Sequence, residues 1–237
     1  MENNRYVKDF RLPFEDFKGS LQVLETNVPV EKQMEYFRFS EVVRKDLRDG
    51  QSLEKQMKIL SSPQSSYPEI KYALAFLAIS GDVKAYRAIE SYNKTNSDDW
   101  SAMSLMQAKI TLESELSEER QIFISTGLGG KGERLRFFAL FKSKGGKKFS
   151  GYQKKLIEKE MLYSIQNRLG ILEEIQIRDN YFTVLFLIHF RTNIRMILQE
   201  AITECNQYGD FINKGFIITN VKVLSEEEIQ NELKKKG

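Results

Sequence analysis

The apolar pattern of this chain changes period near residue 120, from helical spacing before it to short strand-like runs after it. That switch excludes a single helical bundle and an all-β sandwich, and it points to an α+β fold in two parts. Before the switch, five helices are marked by Met34, Phe37 and Val42, by Leu53, Met57 and Leu60, by Ile70, Leu74 and Leu77, by Val83, Tyr86 and Ile89, and by Trp100, Met103, Met106 and Ile110. Asp49-Gly50, Ser61-Ser62-Pro63 and Gly81-Asp82 separate the first four, and Asp82 is suited to cap the fourth. Turns this short make successive helices antiparallel.

The stretch from Pro68 to Val83 (PEIKYALAFLAISGDV) resembles a HEAT repeat. It has small Ala residues where paired helices touch, a Gly-Asp turn, and a second helix that opens on an aliphatic residue. Trp100–Leu112 resembles the first helix of a following unit. The resemblance covers about residues 30–116 and implies a stack that binds proteins or nucleic acid along an extended face.

After the switch, strands are expected at Gln121–Thr126 and Leu135–Phe141, followed by a helix over Ser150–Leu169. Strands at Glu174–Arg178 and Tyr181–Phe190 flank an Asp179-Asn180 hairpin turn. A helix over Asn193–Tyr208, capped by Thr192, leads to a strand at Phe216–Leu224. A last helix runs from Ser225 to Lys236, with Ser225 and Glu228 as a capping box. The order is ββαββαβα, a two-layer α/β sandwich on a mostly antiparallel sheet. Tyr181–Phe190 is apolar on both faces, so both faces need a cover, from the helical half or from another copy of the chain. The domains expected are an extended N-terminal arm over 1–29, carrying Tyr6, Phe10, Phe14 and Phe17, a HEAT-like helical domain over 30–118, and a sandwich over 119–237.

Charge is uneven. Residues 1–120 carry 17 Lys and Arg against 20 Asp and Glu, whereas residues 121–237 carry 19 against 13. Within 121–160 there are 10 basic residues and 3 acidic ones. The basic residues give two candidate sites. One is an anion-binding loop of Gly127, Gly129, Gly130, Lys131 and Gly132, followed by Arg134 and Arg136, where glycine turns can aim backbone N–H groups at a phosphate. The other is a basic patch of Lys142, Lys144, Lys147, Lys148, Lys154 and Lys155, with lysines acting as point charges on a nucleic-acid backbone. The two loops flank opposite ends of one strand, roughly 23 Å apart at 3.3 Å per residue. Tyr152 and Phe149 could stack bases, but both are expected to be buried beneath the helix.

Glycines 127, 129 and 132 match G-x-G-x-x-G, but a strand follows where a dinucleotide fold needs a helix. Nor is the loop a Walker A motif. One Cys and one His exclude a disulfide within the chain, multi-Cys zinc sites and paired-His metal motifs. Cys205 and His189 both read as packed residues, and no catalytic constellation, metal site or cofactor is indicated. The longest apolar run is too short to span a bilayer as a helix. With no signal sequence and one unpaired Cys, a cytoplasmic protein is expected.

The function expected from these features is that of a non-enzymatic binding or adaptor protein. It would take nucleic acid or another polyanion on segment 131–159, and a protein on the helical half or the apolar sheet face. The alternatives are a sensor of small phosphorylated ligands, or an unusual enzyme, built on Gly127–Gly132, and a structural subunit of a homo- or hetero-oligomer.

Overall fold

In the computed structural model, the described residues are 20–25, 27–46, 52–116 and 121–235. The expected arm aromatics lie outside them. Two compact units divide these residues between Gly127 and Leu128.

The first unit is helical. Its helices are α1 (Val30–Asp46), α2 (Leu53–Ser61), α3 (Tyr67–Ala78), α4 (Val83–Thr95) and α5 (Asp99–Leu116). Local chemistry sets their starts. Ser66 and Glu69 form a capping box on α3, and Asp82 accepts from the Lys84 and Ala85 N–H groups at the start of α4. The core gathers Leu74, Leu77, Ile89 and Met103 around Tyr36 and Trp100, whose rings meet edge-on at 5.2 Å. Gln107, buried among them, accepts from Tyr36 Oη at 2.7 Å and Ser40 Oγ at 2.9 Å.

Two strands bracket the bundle. β1 (Ser20–Val23) pairs in parallel with β2 (Gln121–Ile124). This corrects the expected layout: β2 closes the helical unit instead of opening the sandwich. Its partner lies a hundred residues upstream, a pairing that no local pattern encodes.

The second unit holds β3 (Gly130–Lys131), β4 (Arg134–Ser143), α6 (Gly151–Gln166), β5 (Ile171–Ile177), β6 (Tyr181–His189), α7 (Ile194–Asn206), β7 (Ile212–Thr219) and α8 (Glu226–Lys234). β4 lies between β6 and β7, β5 pairs with the far side of β6, and every pairing in this sheet is antiparallel. From β4 to β7 the chain therefore runs βαββαβ with strand order β7-β4-β6-β5, the split βαβ arrangement of ferredoxin-like sandwiches. β3 is a two-residue addition to the β4 edge. Ser150 and Gln153 cap α6, and Asn193, not Thr192, caps α7 by accepting from Met196 N–H.

Cross-strand pairs Leu135–Ile188, Phe137–Phe186, Ala139–Val184 and Phe141–Phe182 put one apolar face on the sheet. α6 and α7 bury Ile157, Met161, Ile165, Ile197, Leu198 and Ala201 on the same core. On the other face, Phe138, Leu140 and Tyr181 pack with Leu128 and with Ile229 and Leu233 of α8. The cover expected over β6 thus includes the chain's own last helix. Among the described residues, no helix is long and apolar enough to cross a membrane.

Candidate nucleic-acid interface

β4 carries basic residues at both ends, and the two ends differ. At its C-terminal end the chain passes through a 3₁₀ turn at Lys144–Gly146 into α6. Lys144 is ion-paired with Asp210, and Lys148 Nζ lies 2.7 Å from Asp179 Oδ2. Lys142 Nζ donates to the Glu232 carbonyl of α8, and burial lowers its pKa. Lys147 and Lys155 are exposed and Lys154 is half-buried. Phe149 is buried, but Tyr152 is 61% exposed, on the solvent side of α6 and not beneath it.

The glycine loop is closed. Gly127, Leu128, Gly129 and Gly130 are buried. Leu128 N–H donates to the Asn220 carbonyl at 3.0 Å, and the Gly129 carbonyl accepts from Arg136 N–H. Arg136 is absorbed as well. Its Nε and Nη2 bind Glu173 at 2.6 and 2.9 Å, and its Nη1 binds the Leu128 carbonyl at 2.7 Å. That fork fastens the loop to the bulge in β5 and raises the pKa of the guanidinium.

At the N-terminal end of β4, three loops converge. Lys131 pairs with Arg134 across the β3–β4 hairpin, and Arg134 pairs with His189 across β4–β6. Arg134 Nε donates to the Leu169 carbonyl at 2.9 Å, which ties in the α6–β5 loop. From there Arg168 reaches Glu200 on α7 at 3.5 Å. Phe190 N–H donates to the Glu133 carbonyl, and the Arg191 guanidinium lies 5.2 Å from the Phe190 ring centre. Arg195 is exposed on the first turn of α7.

His189 orders this end. Its ring stacks on Phe190 at 4.5 Å, and its Nδ1 accepts the Arg191 backbone N–H at 3.2 Å. The ring proton therefore sits on Nε2, which lies 3.4 Å from Glu133 Oε2. The N-terminal end of β4 and the turns beside it thus carry exposed Lys131, Arg168 and Arg191 with half-buried Arg134, Arg195 follows on α7, and Glu133 and Glu200 are engaged by His189 and Arg168. Three of these arginines lie outside segment 131–159 and were not legible as a group, because loops far apart in sequence bring them together. Cys205, by contrast, is a packed residue of α7, and burial pushes its thiol up to about 12.

No protein-family model matches the sequence, and no curated protein matches it. Among solved structures, the chain is similar to a protein of Deinococcus radiodurans R1 assigned as a transposase, at 10% identity and a TM-score of 0.37 over 42% of this chain and 88% of that one. It is also similar to a REP-associated tyrosine transposase bound to a REP hairpin, at 7% identity and a TM-score of 0.34 over 49% of this chain and 67% of that one. Both are described as transposases, not as HEAT repeats or adaptors, and the expected non-enzymatic adaptor function is not carried forward. The cations of segment 131–159 divide between opposite ends of β4, and Arg136, Lys144 and Lys148 are held in ion pairs.

Proposed function

We propose that the ferredoxin-like unit binds DNA at the N-terminal end of β4. The observation that supports this reading is the gathering of Lys131, Arg134, Arg168, Arg191 and Arg195 on the elements and turns that meet at this end of the sheet. Arginine forks suit phosphate oxygens, because the planar guanidinium donates two parallel hydrogen bonds. Placement on the ends of packed strands and helices favours binding, since the charges are held without ordering a free loop. An interface of this kind gains affinity by releasing counterions, so binding weakens steeply with salt.

The test is fluorescence anisotropy with a labelled DNA hairpin and a single strand of the same length, each at several salt concentrations. Wild-type protein should bind, with affinity falling as salt rises. Arg191→Ala with Arg195→Ala should weaken binding at every salt concentration and flatten the log–log salt slope by about two. A double variant that binds with the wild-type affinity and slope would overturn the assignment of this surface.

A further inference from the structure

The loop between α6 and β5 closes in an uncommon way. Leu169 N–H donates to the Gln166 carbonyl at 2.9 Å and Gly170 N–H to the Ile165 carbonyl at 3.0 Å, the paired bonds of a Schellman turn. Such a turn needs its penultimate residue in the left-handed region, which is normally a glycine. Here that residue is Leu169, at φ +56°. The glycine stands one position later because packing requires it there. A Cβ on Gly170 would lie 2.6 Å from Ile188 Cδ1 and 2.9 Å from the Ile165 carbonyl oxygen.

Leu169 thus accepts a left-handed backbone conformation that is unfavourable for an L-residue, and it recovers nothing by burial. Its side chain is 78% exposed. Nor is the loop loose. Arg134 Nε holds the Leu169 carbonyl, and the two turn bonds fix the residues on either side. The result is an apolar side chain on a rigid mount, with Arg168 immediately before it and Arg134 beneath it.

We infer that Leu169 is a wedge that enters a base step of bound DNA while the surrounding arginines hold the phosphates. Apolar side chains inserted in this way unstack neighbouring bases, and the cost of unstacking is offset by the additional protein surface the deformed DNA can reach. The ligand class is therefore DNA with an openable step, such as a duplex with a central TA step or a hairpin at its loop junction, where stacking is weakest. This inference rests on the proposed binding surface.

The two can be separated in one experiment. A duplex carrying 2-aminopurine at a central TA step is titrated with protein, and anisotropy and 2-aminopurine fluorescence are read together. Wild-type protein should raise both signals. Leu169→Gly removes the side chain and relieves the backbone, so the fold should be as stable as wild type or slightly more so. It should still raise the anisotropy, with affinity down by no more than about tenfold, while the 2-aminopurine rise is lost. Leu169→Met should restore the rise. If wild-type protein binds without a fluorescence rise, or Leu169→Gly gives the full rise, the wedge is wrong and the binding surface stands. In that case the exposed leucine is left to a protein contact. If wild-type protein fails to bind even at low salt, the binding surface and the wedge both fall.

Discussion

The two ends of β4 carry similar numbers of basic residues and use them differently. At the C-terminal end, Lys144 and Lys148 meet Asp210 and Asp179, and they sit around a tight aromatic cluster. Phe141 stacks on Phe182 at 4.5 Å with the rings nearly parallel, and Phe149 meets Phe182 and Phe211 edge-on. At the N-terminal end, the charges come from Lys131, Arg134, Arg168, Arg191 and Arg195, and the ordering groups are His189 and the Arg134 bond to the α6–β5 loop. The first end spends its charge on pinning loops to the sandwich. The second holds Arg134 on the Leu169 carbonyl and Arg168 on Glu200, and leaves Lys131, Arg191 and Arg195 exposed. A count of basic residues cannot separate these cases, because the difference lies in what stands opposite each side chain.

The largest expected effect comes from the aromatic cluster. Phe141→Ala should destabilise the unit by about 3–5 kcal/mol, since it leaves a cavity between Phe182 and Phe216 that the sheet cannot close. Urea denaturation measures this, and a loss below about 1 kcal/mol would mean that the cluster can collapse. Gly170→Ala comes next, at about 1–3 kcal/mol, because the added methyl meets backbone at the Ile165 carbonyl and cannot be relieved by a side-chain rotation alone. Its cost should fall on the arginine end, as faster hydrogen exchange at the Leu169 and Gly170 amides.

The comparison is sharpened by reversing charges at one end at a time. Arg191→Glu should cost at least tenfold in DNA affinity, about 1.4 kcal/mol, because it replaces a cation of the proposed surface with a repelling anion. Lys144→Glu should change affinity by less than threefold, because Lys144 is engaged by Asp210 away from the proposed surface. Anisotropy at one fixed salt concentration tests both. Equal losses would make the two ends one electrostatic surface.

Much of the scaffold was legible in local sequence. The helical spacing of Ile70, Leu74 and Leu77, the Asp82 cap and the Ser225–Glu228 box are short-range signals, and the structure holds each of them. The partner of β2 was not legible, because β1 lies across the whole helical region. The helix expected to run to Leu169 ends at Gln166, since nothing local marks a left-handed leucine when the neighbouring glycine looks like the natural stop. Tyr152 was expected inside and is outside, because at the first turn of α6 the inward face begins only with Leu156 and Ile157. The candidate surface was the least legible part. Arg168 and Arg191 lie in two turns and Arg195 on the first turn of α7, and only the sheet register brings these elements to the end that carries Arg134. The fate of Arg136 was decided by Glu173, on a strand two places away.

The smallest effect belongs to the exposed pair at the lysine end, and it has a direction in pH. Lys148 holds the Asp179 carboxyl below its ordinary value of 3.8. A carboxylate whose pKa is lower folded than unfolded contributes stability above the unfolded value, and that contribution is lost as pH falls through the folded value. The pair should therefore persist at pH 5 and fade only below the ordinary aspartate range. The Asp179 carbonyl accepts Phe149 N–H at 2.6 Å, so the Phe149 amide reports on the turn that the pair steadies. Its protection from hydrogen exchange, measured relative to Phe137 in β4, should decline below about pH 4 in wild-type protein. In Asp179→Asn the ratio should be slightly lower and flat with pH. The arginine end should show no matching change over this window if the two ends act as independent frames. A parallel loss at the Leu169 amide would mean that the lysine end supports the arginine end through β4, and the contrast between them would then be one of charge alone.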